Sequence, residues 1–155
     1  MSFMQINDLK VHYPIRGGFF NRVVDYVYAV DGVTMELERG KAYGLVGESG
    51  CGKSTTGKSI VGLEKISSGS IIYEGENVTN RRRDRSSSFN RDIQMIFQDS
   101  TSAMNPRKRV QDILAEPIRN FLNLTPQEES KKISEHLAIV GMPEDAKIKY
   151  PHEFS

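Results

Sequence analysis

The sequence has no tryptophan, a single cysteine and no long apolar run, and each shortage closes off a class of protein. A lone thiol, Cys51, cannot form an intrachain disulfide framework and fits a reducing compartment. No stretch approaches the roughly 18 consecutive apolar residues of a membrane span. The first ten residues place Asp8 where a secretory leader would need an apolar run. Charge of one sign is missing as well. Lysine plus arginine total 21 against 20 acidic residues, a formal net charge of +1, so no global field draws the chain to nucleic acid or membrane. What remains is a chain of 155 residues, 37% hydrophobic and 26% charged, able to bury a core as one domain or part of one.

The first half predicts strands and turns. Val33, Met35 and Leu37 alternate with Thr34, Glu36 and Glu38, the period of a half-buried strand. Leu9-Lys10-Val11 reads as a first strand, and Ala42-Tyr43-Gly44-Leu45-Val46 as a buried one. Residues 53–63 have helical length and spacing, and Ile71-Ile72-Tyr73 opens another strand. Residues 92–97 return to strand character with Ile93, Met95, Ile96 and Phe97. The second half is helical. Val110, Ile113, Leu114, Ile118 and Phe121 share one helical face, which Pro117 should kink or split. Thr125-Pro126-Gln127-Glu128 is a capping box, and Gly141 with Pro143 stops the helix that it opens.

Gly47-Glu48-Ser49-Gly50-Cys51-Gly52-Lys53-Ser54 fits Gly-x-x-x-x-Gly-Lys-Ser. A chance match is expected in fewer than about one chain in a hundred of this length. Here the motif also follows an apolar run and opens a helix, the arrangement its chemistry requires. Glycines let backbone N–H groups turn inward around phosphate oxygens, and the helix adds its positive end. Lys53 then reaches the β- and γ-phosphates, the Ser54 hydroxyl is placed to ligate Mg²⁺, and Thr55 can reach the α-phosphate. Cys51 reads as a small residue in a crowded loop. Nucleotide binding is the expectation.

Around this loop the sequence resembles the ATP-binding subunits of ABC transporters, in the branch that serves oligopeptide and dipeptide importers. The resemblance is carried by Ala29-Val30-Asp31-Gly32-Val33, by Gly44 through Thr55, and by Ile96-Phe97-Gln98-Asp99. Met104-Asn105-Pro106-Arg107 and Tyr150-Pro151-His152-Glu153-Phe154-Ser155 narrow it to the peptide branch. It implies an α/β P-loop NTPase fold of the ABC type: an antiparallel β subdomain, a partial RecA-like core and the start of the helical subdomain. The corresponding division is a strand-rich nucleotide-binding lobe, residues 1–98, and a helical lobe, residues 99–155, running from the Q-loop to the first signature serine.

The resemblance also implies roles. Gln98 matches the Q-loop glutamine, which contacts Mg²⁺ and the attacking water; the rival reading makes Asp99 a metal carboxylate. Tyr13 matches the aromatic that stacks on adenine, an interaction worth roughly 1–3 kcal/mol per base, with Phe19, Tyr26 and Tyr28 as nearby competitors. Ser155 matches the signature serine, with Phe154 in place of leucine. The implied catalytic residues are Lys53 and Gln98, the metal ligands Ser54 and Gln98, and the ligands ATP and Mg²⁺. The implied partners are a second ATPase subunit paired head to tail, membrane permease subunits and, indirectly, a peptide-binding protein. The location implied is the cytoplasmic face of the cell membrane.

No apolar run ending in Asp-Glu occurs in the sequence, and no Gly-Gly-Gln follows Ser155. The sequence is therefore expected to be the N-terminal part of a longer nucleotide-binding domain. By itself it should bind ATP without turnover, and should either self-associate to complete its sheet or stay partly unfolded. Arg81, Arg82, Arg83 and Arg85, with Arg91, form the one basic cluster. It lacks interleaved aromatics and reads as a solvated surface loop, not a nucleic-acid site. Residues 104–107 and the helix from Val110 are the expected partner surface, since in the family this region receives the permease. A P-loop kinase and a non-transport ABC ATPase are the alternative functions.

Overall fold

The structure, a computed structural model, describes residues 2–80 and 88–154. Alternating apolar and polar residues build its first two strands. β1 (Ser2–Gly17) and β2 (Arg22–Glu38) form a long antiparallel ribbon in which Ile6 faces Met35, Val11 faces Val30 and Gly17 faces Arg22. Gly18 and Asn21 turn the chain at its tip, where the Phe19 side chain is 99% exposed. β3 (Ser68–Tyr73) pairs with the other edge of β1, and β4 (Glu76–Asn77) follows, giving the order β2-β1-β3-β4. β1 is thus an inner strand and supplies most of the fully buried side chains: Met4, Ile6, Leu9 and Val11. Val30, Ile66, Ile71, Tyr73, Val78 and Phe89 complete that core. The pairing of β1 with β3 slips at Asp8, which has positive φ. Only glycine fits opposite, because a Cβ on Gly69 would run into the carbonyl oxygens of Asn7 and Asp8.

α1 (Lys53–Ile60) is shorter than its sequence spacing suggests. A Schellman motif ends it: the Gly62 N–H donates to Ser59 O (3.1 Å) and the Leu63 N–H to Lys58 O (2.7 Å). Residues 42–46 and 92–97 do not form the strands expected of them. Residues 42–46 have no assigned element; α2 (Ser88–Asp92) takes the start of the other segment and the rest is irregular. Apolar composition suits a strand, but a strand exists only through its ladder partners, and no described strand pairs with either run. Residues 42–46 lie open, Val46 at 89% exposure; in the other run Ile96 is 94% exposed, while Ile93 packs against the core from irregular chain. The first strand errs the other way: β1 runs on to Gly17, so Tyr13 lies within it instead of following it. Arg81, Arg82, Arg83 and Arg85 fall outside the described residues; Arg91 is exposed and pairs with Asp92 at 3.1 Å.

The chain divides into two compact units, Met1–Met95 and Ile96–Ser155. In the second, α3 (Ser100–Ala103) precedes α4 (Val110–Phe121) and α5 (Pro126–Ile139), followed by two short 3₁₀ turns, Glu144–Ile148 and Pro151–Glu153. Ala115, Ile133, Leu137 and Ala146 form its core, with Val110, Leu114 and Ile118 packed against it. Pro117 does not split α4. It removes one N–H, and the apolar face packed on α5 outweighs that loss. Arg119 clamps α4 to α5 through two 2.7 Å hydrogen bonds to the Glu129 carboxylate. Another Schellman motif, at Gly141, closes α5. Val140, the C-cap residue, is exposed just beyond the last turn.

The capping box of α5 forms as the sequence requires. The Glu128 N–H donates to Thr125 Oγ1 (3.3 Å), and the Thr125 N–H donates to Glu128 Oε2 (2.8 Å). Hydrogen bonds from the Thr125 backbone and hydroxyl hold the Glu128 carboxyl below its ordinary value of 4.5. A carboxyl lowered in the folded state stabilises above its unfolded pKa, and that gain is lost as pH falls through the folded value. Thr125→Ala should therefore cost about 1 kcal/mol near neutral pH. In thermal melts followed by helical circular dichroism, the gap from wild type should narrow as Glu128 becomes protonated.

Candidate functional site

The glycine-rich loop and the first turn of α1 form one cleft of about 250 Å³, lined by Ser49, Gly50, Gly52, Lys53, Ser54 and Thr55. Gly52 stands at the helix N-cap with φ of 92°, no side chain caps the helix and no acid lies in its first turn. The first-turn amides and the positive helix end are thus presented to the cleft without a competing anion. Lys53 Nζ donates to the carbonyl oxygens of Gly47 (2.8 Å) and Glu48 (2.5 Å), and lies 3.5 Å from Cys51 Sγ. These contacts hold the ammonium inside the curl of the loop. The Cys51 N–H closes that curl on Glu48 O at 3.3 Å. Ser54 is exposed and Thr55 half-buried, both facing the same cleft.

The loop is seated on the ribbon by one close approach. A Cβ on Gly52 would run into the carbonyl oxygen of Ala29 and touch Val30 Cγ2. α1 meanwhile buries Thr56 and Ser59, whose hydroxyls donate to Gly52 O (3.0 Å) and Thr55 O (2.8 Å). Its inner face therefore carries polar side chains without leaving any unsatisfied.

Tyr13 lies on β1, in the same unit as the loop, and its residue is 39% exposed. Partial desolvation, then the neighbouring Glu64 carboxylate, raise its phenol above the ordinary value; the Thr55 hydroxyl works the other way. The competing aromatics Phe19, Tyr26 and Tyr28 are all exposed; Tyr28 packs edge-on against His12. Gln98 lies in the second unit, exposed and in irregular chain. Its neighbour Asp99 has the same exposed, irregular setting, and Ser155 falls outside the described residues.

Sequence reasoning missed the Ala29 carbonyl, which carries no local signal and reaches the site only once the ribbon and α1 have packed. Uncapped amides, a lysine and a hydroxyl around an open cleft make an anion site suited to a polyphosphate.

Comparison with known proteins extends this geometry. A family described as ABC transporter matches residues 30–155. The chain is similar to the oligopeptide transport ATP-binding protein OppF of Lactococcus lactis subsp. lactis (strain IL1403), 54% identical over 99% of this chain and 48% of that protein. It is also similar to the oligopeptide transport ATP-binding protein AppF of Bacillus subtilis (strain 168), 41% identical over 99% of this chain and 47% of that protein. The nickel import ATP-binding protein NikE of Escherichia coli O157:H7 is 40% identical over 100% of this chain and 57% of its own length. The chain thus spans about half the length of the curated relatives it matches. Among solved structures, the ATP-binding cassette MJ0796, a dimer bound to ADP and Pi, superposes with a TM-score of 0.75 at 20% identity, over 98% of this chain and 63% of its own.

The seating of the loop makes two glycines behave oppositely. Gly44 has nothing within 4 Å of a built Cβ, so Gly44→Ala should leave pyrophosphate binding and melting temperature unchanged. Gly52→Ala should abolish pyrophosphate binding in titration calorimetry and lower the melting temperature, because both its φ and the Ala29 carbonyl exclude a side chain.

Proposed function

This chain belongs to the ABC transporter family and has part of the ATP-binding-cassette fold, and on that premise we propose that it binds Mg-ATP as the energy-coupling subunit of an importer. The reading rests on one observation above others: an uncapped helix end and Lys53 meet around a single cleft in the first unit. The β- and γ-phosphates lie against the loop amides and Lys53, the α-phosphate near Thr55, and the adenine on Tyr13. Ser54 and Gln98 offer a hydroxyl and a carboxamide oxygen, neutral hard donors that suit Mg²⁺ beside phosphate oxygens. Held by those donors, Mg²⁺ would supply charge neutralisation to the phosphates. Gln98 orients the attacking water, Lys53 stabilises the γ-phosphate as charge builds on it, and Ser155 begins the signature that meets the nucleotide of a partner subunit.

In the longer protein, two such domains pair head to tail and hydrolyse ATP at their interface, and closure and reopening drive permease subunits at the cytoplasmic face of the membrane. Peptides or related solutes are the proposed cargo, delivered by a separate binding protein; the names of the oligopeptide and nickel relatives support that choice. Among the described residues no helix is long and apolar enough to cross a membrane. The described division at Met95 and Ile96 supports separate nucleotide-binding and helical lobes. Within its 155 residues the chain has no apolar run ending in Asp-Glu to supply a general base, and we propose binding without turnover for it in isolation.

Titration calorimetry with Mg-ATP tests this reading. Lys53→Ala should remove most of the affinity, and equal affinity in the two proteins would refute the loop assignment. Tyr13→Ala should weaken ATP by roughly 5- to 150-fold, the equivalent of one base stack, while inorganic triphosphate binds as before. Equal losses for the two ligands would move the stacking role to another aromatic.

A further inference from the structure

The first two strands outrun the sheet that they belong to. β3 accompanies β1 only as far as Lys10, so residues 13–17 and 22–27 continue as a two-stranded arm with no third strand beside it among the described residues. From Tyr13 to Gly17 the arm is about 15 Å long, at the usual rise of a strand. A ribbon open to water on both faces is expected to carry polar side chains. This one exposes Ile15, Val23 and Val24. At the tip the contrast is greatest, with Phe19 99% and Phe20 76% exposed. Their rings pack edge to face at 5.6 Å, and neither belongs to the core of its unit.

The charge around these rings has one sign. From Pro14 to Val24 the sequence has two arginines and no acid. Arg16 pairs with Val23 and Arg22 with Gly17, consecutive positions of the ladder, so the two face opposite sides of the ribbon. The Arg22 guanidinium lies 5.6 Å from the Phe20 ring centre. An apolar wedge is thus straddled by cations, a local field that the balanced total charge of the chain does not cancel. A protruding tip needs either a fitted socket or a soft medium. The bilayer interface is soft, takes apolar side chains to a depth of about 5–10 Å, and is negative where anionic lipids gather.

We propose that the β1–β2 tip is a membrane-contact site for an anionic bilayer surface. Phe19 and Phe20 enter the interface end-on, and Arg16 and Arg22 pair with lipid phosphates on either side, their stems lying along the apolar boundary. Two rings and two cations make a reversible contact and not an anchor. Nothing in this rests on the nucleotide cleft.

Co-sedimentation of the purified chain with vesicles tests it, using phosphatidylcholine alone and an equal mixture with phosphatidylglycerol. The chain should prefer the anionic vesicles and bind them less as salt is raised. Replacing both rings, Phe19→Ser with Phe20→Ser, should lower partition by about tenfold or more. Arg16→Gln with Arg22→Gln should bring binding of the anionic vesicles down to the neutral level. Ile139→Ser, which removes an 80% exposed apolar residue from α5, should change nothing and so separates the tip from general stickiness. Depth has its own reporter: the chain has no tryptophan, so Phe19→Trp supplies a single fluorophore whose emission should shift to the blue with anionic vesicles. The proposal is overturned if the wild-type chain binds neither vesicle, if Ile139→Ser loses as much as the ring variant, or if bound Phe19→Trp keeps its emission in water. It is overturned as well if the ring variant binds vesicles like wild type while dissolving a dimer seen by light scattering without lipid, since the tip then docks on a second copy. Where the ring variant melts differently from wild type, Phe19→Trp and the arginine variant decide alone. A blue shift in the first with loss of anionic preference in the second supports the site, and any other pattern overturns it.

Discussion

Where the phosphate loop meets β2, the backbone of Gly52 lies against the Ala29 carbonyl with no room for a side chain between them. The left-handed turn at Gly52 also starts α1, so this contact sets the position and direction of the helix. From the helix follow the amides of the cleft and the hydroxyls of Ser54 and Thr55. On the ribbon side, Tyr28 and Val30 flank Ala29 and pair with His12 and Val11 of β1, the strand that also bears Tyr13. The close approach of two backbones therefore registers the phosphate end of the site against the base end. Interiors pack densely, so such a contact transmits a shift of either partner almost undiminished.

What could be read directly from the residues was local. The Gly-x-x-x-x-Gly-Lys-Ser pattern carries its own conformational demands, and the Thr125–Glu128 box satisfies itself within one turn. Alternation at Val33, Met35 and Leu37 gave the strand because one face of β2 packs on the core. Residues 42–46 and 92–97 misled for the opposite reason: an apolar run states a preference for burial and says nothing of whether a ladder partner is present. Pro117 misled because the lost hydrogen bond is a local cost and the packing that offsets it lies on α5, in another part of the sequence. Tyr13 and Gln98 came from resemblance, and their residue types alone would have named neither.

The two units solve the same problem in different ways. In the first, β1 is flanked on both edges, and long-range strand pairing brings its core together. In the second, short-range contacts among α4, α5 and the following 3₁₀ turn enclose a smaller core, and the Arg119–Glu129 clamp lies on its surface. Its Arg119 end is exposed and screened by solvent while Glu129 is mostly covered, and burial of Ile133 and Leu137 forms the core beneath.

The inner position of β1 has a kinetic meaning. The phosphate loop and α1 lie in the stretch of chain between β2 and β3, and both of these strands pair with β1. On a ribosome, β1 and β2 can meet early as a hairpin, but the loop stays tethered at one end only. Its other end is secured when Ser67 arrives, its N–H donating to Lys10 O at 2.8 Å and its hydroxyl receiving the His12 N–H at 2.9 Å. That closure draws together residues more than fifty positions apart, a step whose entropy is paid before any contact rewards it. A nascent chain halted before β3 would display the glycine-rich motif in full and still be unable to hold its shape, leaving it open to proteases that the finished sheet excludes.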